Sequence, residues 1–213
     1  MSKSTISQAW VESLNLFFRA KEPYRFDSSM GPCIELDDVL LEISSPLRSP
    51  QVSNLYPEQY RPLIEDFTDK LAHKQEGRVS ATNARLYAWP MPDNKTLDQV
   101  ATQLAHLEEN PETRHCTIAF WNPALDNFSE TPVSPLLANY RFRSGKLHST
   151  VVARSVDAWI GALPIIIAFA NLQDQLAQAA SMQVGPLRFL ALSYHLYETY
   201  VPVVASALEG GVK

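Results

Sequence analysis

With 213 residues, 46% hydrophobic and 19% charged, the chain has enough apolar material for one domain with a sizeable core. Its formal net charge of −5 argues against a protein that coats nucleic acid, which would carry a surplus of Lys and Arg. Two cysteines, Cys33 and Cys116, offer neither a disulfide framework nor a paired spacing for a metal centre.

The N-terminus, MSKSTISQAW, has no apolar run of the kind a signal peptide needs. The most apolar stretch, 158–170, is interrupted by Pro164 and is shorter than the ~20 residues of a membrane span. A cytoplasmic protein with no membrane partner is expected. Residues 7–20 place Trp10, Leu14 and Phe17 at helical spacing, and 35–43 read as a strand stopped by Ser44-Ser45-Pro46. Residues 44–58 read as a loop, and 60–74 as a helix with Leu63, Phe67 and Leu71 on one face. Thr96 opens a helix, with Gln99 at capping-box spacing and Asn110-Pro111 as its stop. A strand is expected over 115–121 and a hairpin over 140–153, turning at Ser144-Gly145. Pro164 starts a helix that runs to about Met182. A buried strand over 187–196 and a short helix over 201–208 complete the chain. Strands and helices mix without regular βαβ alternation, so the expected class is α+β, with 1–213 as one domain.

Several polar residues sit where chemistry is plausible. Arg154-Ser155 offers a guanidinium and a hydroxyl at a strand end, a pair suited to a phosphate dianion; a surface arginine is the alternative. His195 and Tyr197, two apart on a strand, share a face, as a ligand-binding pair or a satisfied core pair. Asp157 precedes the apolar Ala158-Trp159-Ile160, either in a partly apolar cleft or as a helix cap. Trp89 lines a cleft or fills the core.

Four blocks hold these residues in register across 82–200: Tyr87-Ala88-Trp89-Pro90 with Asp98-Gln99; Arg114-His115 with Trp121-Asn122; Gly145-Lys146-Leu147 through Arg154-Ser155-Val156-Asp157 to Gly161; and His195-Leu196-Tyr197. Together they resemble the thymidylate synthase and pyrimidine nucleotide hydroxymethylase superfamily, its compact archaeal members most. Glu35-Leu36 through Ser45-Pro46 and Arg48 resembles the N-terminal strand of that superfamily more weakly. The resemblance implies a large mixed sheet packed with helices and a homodimer. It implies a pyrimidine nucleotide ligand and methylenetetrahydrofolate as cofactor for one-carbon transfer. Arg154 and Ser155 would hold the phosphate. Arg114-His115 of the partner subunit would complete the cup where the family has two arginines. His195 and Tyr197 would bind the sugar 3′-hydroxyl, Asp157 and Trp89 would face the folate, and Glu65 would match the catalytic glutamate.

The pattern breaks twice. The family reaction needs a thiolate to add to C6 of the ring, and the matching segment reads Pro132-Val133-Ser134-Pro135-Leu136. Ser134 falls at or within a residue of the nucleophile position, with a hydroxyl that would need a strong adjacent base. Cys116, beside Arg114-His115, is a substitute thiol, though strand alternation turns it away from His115; Cys33 follows Gly31-Pro32. The family asparagine that reads the uracil edge falls at Ile165 or Ile166, whose side chains form no hydrogen bonds. Two functions stand open: an enzyme that modifies a pyrimidine nucleotide or related compound without the cysteine, and a catalytically inactive nucleotide-binding or partner-binding relative.

Overall fold

In a computed structural model, which describes residues 1–28, 30–77 and 79–210, strands with alternating apolar residues build a sheet that amphipathic helices cover. The order is β1 (Ser2–Lys3), α1 (Ile6–Arg19), β2 (Tyr24–Ser28), β3 (Gly31–Ile43), α2 (Pro62–Ala72), α3 (Ala81–Tyr87), β4 (Trp89–Pro90), β5 (Thr96–Leu97), α4 (Gln99–Glu109), β6 (Thr117–Ala119), α5 (Pro123–Asp126), β7 (Pro135–Arg143), β8 (Lys146–Asp157), α6 (Ala162–Ala179), β9 (Gln183–Tyr197) and α7 (Val201–Gly210). Seven strands form one mixed sheet in the order β1-β3-β9-β8-β7-β6, with β2 sharing the outer edge of β3. β8 and β9 lie side by side in parallel, which requires a crossover, and α6 supplies it. The class is α+β, as expected.

Helix α1 starts with a capping box between Thr5 and Gln8 and buries Trp10, Leu14 and Phe17. Trp10 stacks on Trp159 at 5.4 Å and donates through Nε1 to the Ala158 carbonyl at 2.8 Å. Phe17 stacks on Tyr194, and Phe169 of α6 meets Phe120 edge-on. Gln173 of α6 is fully buried. Its Nε2 caps the carbonyls of Leu147 and Gly185, and its Oε1 accepts from Ser149. These groups flank the point where the β8–β9 register slips and ladder partners are lost. A Cβ on Gly185 would lie 2.7 Å from the His148 ring, so the slip leaves no room for a side chain.

A line of kinks crosses the sheet. The ladders skip Asp38 of β3, Arg154 of β8 and Leu192 of β9, which lie level with one another, and β7 bulges between Pro135 and Leu137. Asp38 adopts a left-handed φ of 53°. On one side of this line Val39, Leu41, Val151, Ala153, Phe189 and Ala191 are buried; on the other Ile34, Val156, Tyr194 and Leu196 are, with Cys33 the exception on the opposite face. The parity of burial therefore reverses, because an irregular residue in a strand flips every later side chain to the other face.

Three local expectations change. The helix expected from Thr96 begins at Gln99, because Thr96 and Leu97 pair with Pro90 and Trp89. Asp98 is its cap, accepting from the Ala101 amide at 2.9 Å, and buried Gln99 bridges Arg85 and Ala119 instead of closing a capping box. The 115–121 strand shortens to Thr117–Ala119. Helix α6 starts at Ala162, so Pro164 lies in its first turn, where no intrahelical bond is lost.

Candidate functional site

The reversal of parity creates the site. Beyond the kinks the even-numbered residues of β9 pack on α1, with Tyr194 hydroxyl 2.7 Å from Ser13. The odd-numbered residues turn the other way, so Ser155, Asp157, Ser193, His195, Tyr197 and Glu35 share the opposite face. Register sets Ser155 beside Ser193, and Asp157 beside His195, which in turn pairs with Glu35.

These side chains form a chain of hydrogen bonds. Ser193 donates to the Glu35 carboxylate, and Ser155 donates to Ser193 at 3.5 Å. His195 Nδ1 lies 3.2 Å from Ser155 Oγ. Ser155 Oγ lies within reach of both Ser193 Oγ and His195 Nδ1, so the direction of its proton sets which ring nitrogen donates. Burial lowers the His195 pKa, Glu35 opposes this and Arg154 reinforces it, which favours the neutral ring. The Tyr197 ring meets His195 edge-on at 5.4 Å, and its hydroxyl donates to Met30 Sδ at 3.5 Å.

Asp157 serves as a turn cap as well as a wall of the site. Its Oδ1 accepts from the amides of Trp159 at 2.8 Å and Ile160 at 3.2 Å. Burial raises the pKa of the carboxyl and the two amides oppose the rise. Tyr56 fastens the same turn by donating to the Ile160 carbonyl at 2.8 Å. A Cβ on Gly161 would press to 3.2 Å from the Asp157 carbonyl, so this tight approach favours glycine.

Arg154 and Ser134 are tied into one junction. Arg154 Nε donates to the Val133 carbonyl at 3.0 Å and Nη2 to that of Pro132 at 2.8 Å. Its own amide donates to the Ser134 carbonyl, and Ser134 Oγ donates to the Ser155 carbonyl at 2.6 Å. A buried pair, Arg85–Asp126 at 3.2 Å, supports this junction, since Asp126 also accepts from the Asn122 and Val133 amides. Trp89 lies against the same pair, with the Arg85 guanidinium 5.9 Å above its ring.

The chain therefore brings Ser134, Arg154, Ser155, Asp157, His195 and Tyr197 into one region. Arg114 and His115 are exposed and line a separate cavity of about 700 Å³ with His106, Glu109 and Glu112. Glu65 is exposed in the first turn of α2. Ile165 and Ile166 are buried in α6. Cys116 is buried beside α4, and burial pushes its thiol up to about 12, which makes it a core residue. Cys33 pairs with Tyr197 on the site face; it is also buried, and burial raises its pKa.

A thymidylate synthase family model matches residues 63–211, well over half of the chain. The chain belongs to the thymidylate synthase family. In this member of the thymidylate synthase family the position read as the nucleophile's holds Ser134, and its hydroxyl proton is directed at a main-chain carbonyl rather than at a base. Glu35 and Ser193 are part of the network although the sequence did not single them out for it. The relevant signal is the β3–β9 register, which no local pattern carries. Among the described residues no helix is long and apolar enough to cross a membrane.

Proposed function

We propose that this thymidylate synthase family member binds a pyrimidine nucleotide or a related compound against the face formed by Ser155, Asp157, Ser193, His195 and Tyr197. The observation that carries the reading is the hydrogen-bonded run from Glu35 through Ser193 and Ser155 to His195, which leaves Nε2 free to pair with a sugar hydroxyl. A homodimer would bring Arg114 and His115 of a second copy to this face.

Methylenetetrahydrofolate fits the residues on one count. Asp157 Oδ2 has no hydrogen-bond partner among the described residues, and desolvation raises the pKa of its carboxyl, so it can pair with a pterin edge. Trp89 would be the stacking wall. The cofactor, when bound, supplies a one-carbon unit.

A second reading, binding without turnover, has its own support. Ser134 donates to the Ser155 carbonyl, and no histidine or carboxylate accepts its proton. Equilibrium dialysis against pyrimidine nucleosides and nucleotides tests the binding, followed by incubation with formaldehyde or methylenetetrahydrofolate. We expect binding that His195→Ala weakens about tenfold, roughly the worth of one good hydrogen bond. No binding to any member of the panel would defeat the reading. Turnover that Ser134→Ala abolishes would select the enzyme; binding without turnover would select the inactive relative.

A further inference from the structure

One carboxylate holds the loop that leads to Ser134. Asp126 Oδ2 accepts from the Asn122 amide at 2.7 Å and Oδ1 from the Val133 amide at 3.4 Å, so a single side chain ties both ends of the 122–133 loop. Arg85 fixes that carboxylate, pairing with it at 3.2 Å and donating through Nε to the Phe120 carbonyl at 3.1 Å. Both partners are buried. Between its ends the loop turns Leu125 and Phe128 to solvent, so apolar packing does not hold its middle in place.

We infer that Asp126 is a positioning residue for Arg154: by closing the 122–133 loop it aims the guanidinium at the anionic group of a ligand. The inference rests on the pyrimidine-binding reading above and names what aligns the anion end of that site.

The link is a single peptide group. The Val133 N–H and the Pro132 carbonyl belong to one planar unit and point in opposite directions. Asp126 accepts from the N–H, and Arg154 Nη2 donates to the carbonyl at 2.8 Å. Carboxylate, peptide and guanidinium thus form a series in which each hydrogen bond polarises the next. The following carbonyl, that of Val133, accepts from Arg154 Nε at 3.0 Å. Two carbonyls of one loop set the plane of the guanidinium, and neither removes its charge. Nη1 has no protein partner among the described residues, which leaves a charged donor of fixed direction for a phosphate oxygen. Burial disfavours the Arg154 charge, and Asp126 opposes that effect.

Field and position predict opposite signs. Deleting a carboxylate raises the local positive potential, and by Coulomb's law alone that strengthens anion binding. Losing the loop clamp weakens it, because the guanidinium no longer faces the phosphate. Asp126→Asn separates the two. Asparagine removes the charge, and in either orientation its amide nitrogen meets a donor, either the Val133 amide or the Arg85 and Asn122 groups.

Titration calorimetry of the full chain with uridine, cytidine, 2′-deoxyuridine and their 5′-monophosphates measures the preference for monophosphate over nucleoside. We expect the wild-type chain to prefer at least one monophosphate about tenfold, the worth of a charge-assisted hydrogen bond. Asp126→Asn should cut that preference about fivefold while nucleoside affinity stays within about twofold. An undiminished or increased preference, or equal losses for both ligands, would overturn the inference. A wild-type chain without the preference would overturn it too and leave the pyrimidine-binding reading intact, whereas binding of neither class would overturn both. Should Asp126→Asn not fold, amide spectra of the wild-type chain decide. The monophosphate should move the Val133 amide resonance and the nucleoside should not; a Val133 resonance indifferent to bound monophosphate would defeat the inference.

Discussion

On the α6 side of the kinks, Ser149 and Gln173 are buried and answer each other: the serine donates to the glutamine, which caps two strand carbonyls. On the far side, Ser155, Ser193 and His195 are only partly covered, and Asp157 Oδ2 and His195 Nε2 face the site without protein partners among the described residues. The same three strands, β3, β8 and β9, run through both halves. What differs is the parity reversal at Asp38, Arg154 and Leu192. In one half the polar groups complete the interior. In the other they are held ready for something else, and such spare capacity is commonly bought with stability.

The comparison can be broken by removing polar groups from each half. The largest effect is expected behind the Ser134 junction, at the buried Arg85–Asp126 pair. Asp126→Ala should cost about 4 kcal/mol in denaturant unfolding, because it strands a buried guanidinium and two amides. Burial opposes ionisation of Asp126, but the amides and Arg85 outweigh it and its pKa is lowered. Its contribution is then complete above the ordinary carboxyl range near ~4 and fades as pH falls through the lower folded value, an acid limb that Asp126→Asn should lack. Gln173→Leu comes next, with a loss of about 3 kcal/mol in the same measurement, since two carbonyls and the Ser149 hydroxyl lose their partner.

Asp157→Asn should act in the opposite direction and more weakly. Asparagine keeps an acceptor for the Trp159 and Ile160 amides and removes a carboxylate that burial disfavours. An acid with a raised folded pKa loses stability as pH rises from its unfolded value near ~4 to its folded one. The variant should therefore melt about 2 °C higher than wild type at pH 7, with the gap closing below pH ~4. A lower melting temperature at pH 7 would show that Asp157 belongs to the interior half in energetic terms.

Much of the frame was legible in the chain. Trp10, Leu14 and Phe17 repeat at helical spacing, Ser144-Gly145 marks a hairpin whose residues both take positive φ, and Pro164 marks the first turn of α6. Arg154, Ser155, Asp157, His195 and Tyr197 could be named because they lie in blocks that match a family pattern. No local pattern marks Gln173 as interior, and the fold buries it completely. Gln99 read as a capping residue and became a bridge between α3 and β6.

The sequence by itself determined the α+β class, most elements and the family to which the chain belongs, because periodicity, turn residues and motif spacing are local. Only the tertiary structure decided what the arginine and the serines are joined to. Arg154 turned to the carbonyls of Pro132 and Val133, Ser134 to the carbonyl of Ser155, and Glu35, about 160 residues from Ser193 in the chain, was brought within a hydrogen bond of it. Those partners are fixed by strand register and by the kinks that flip side chains from one face to the other, and register is a property of paired strands that neither strand carries alone.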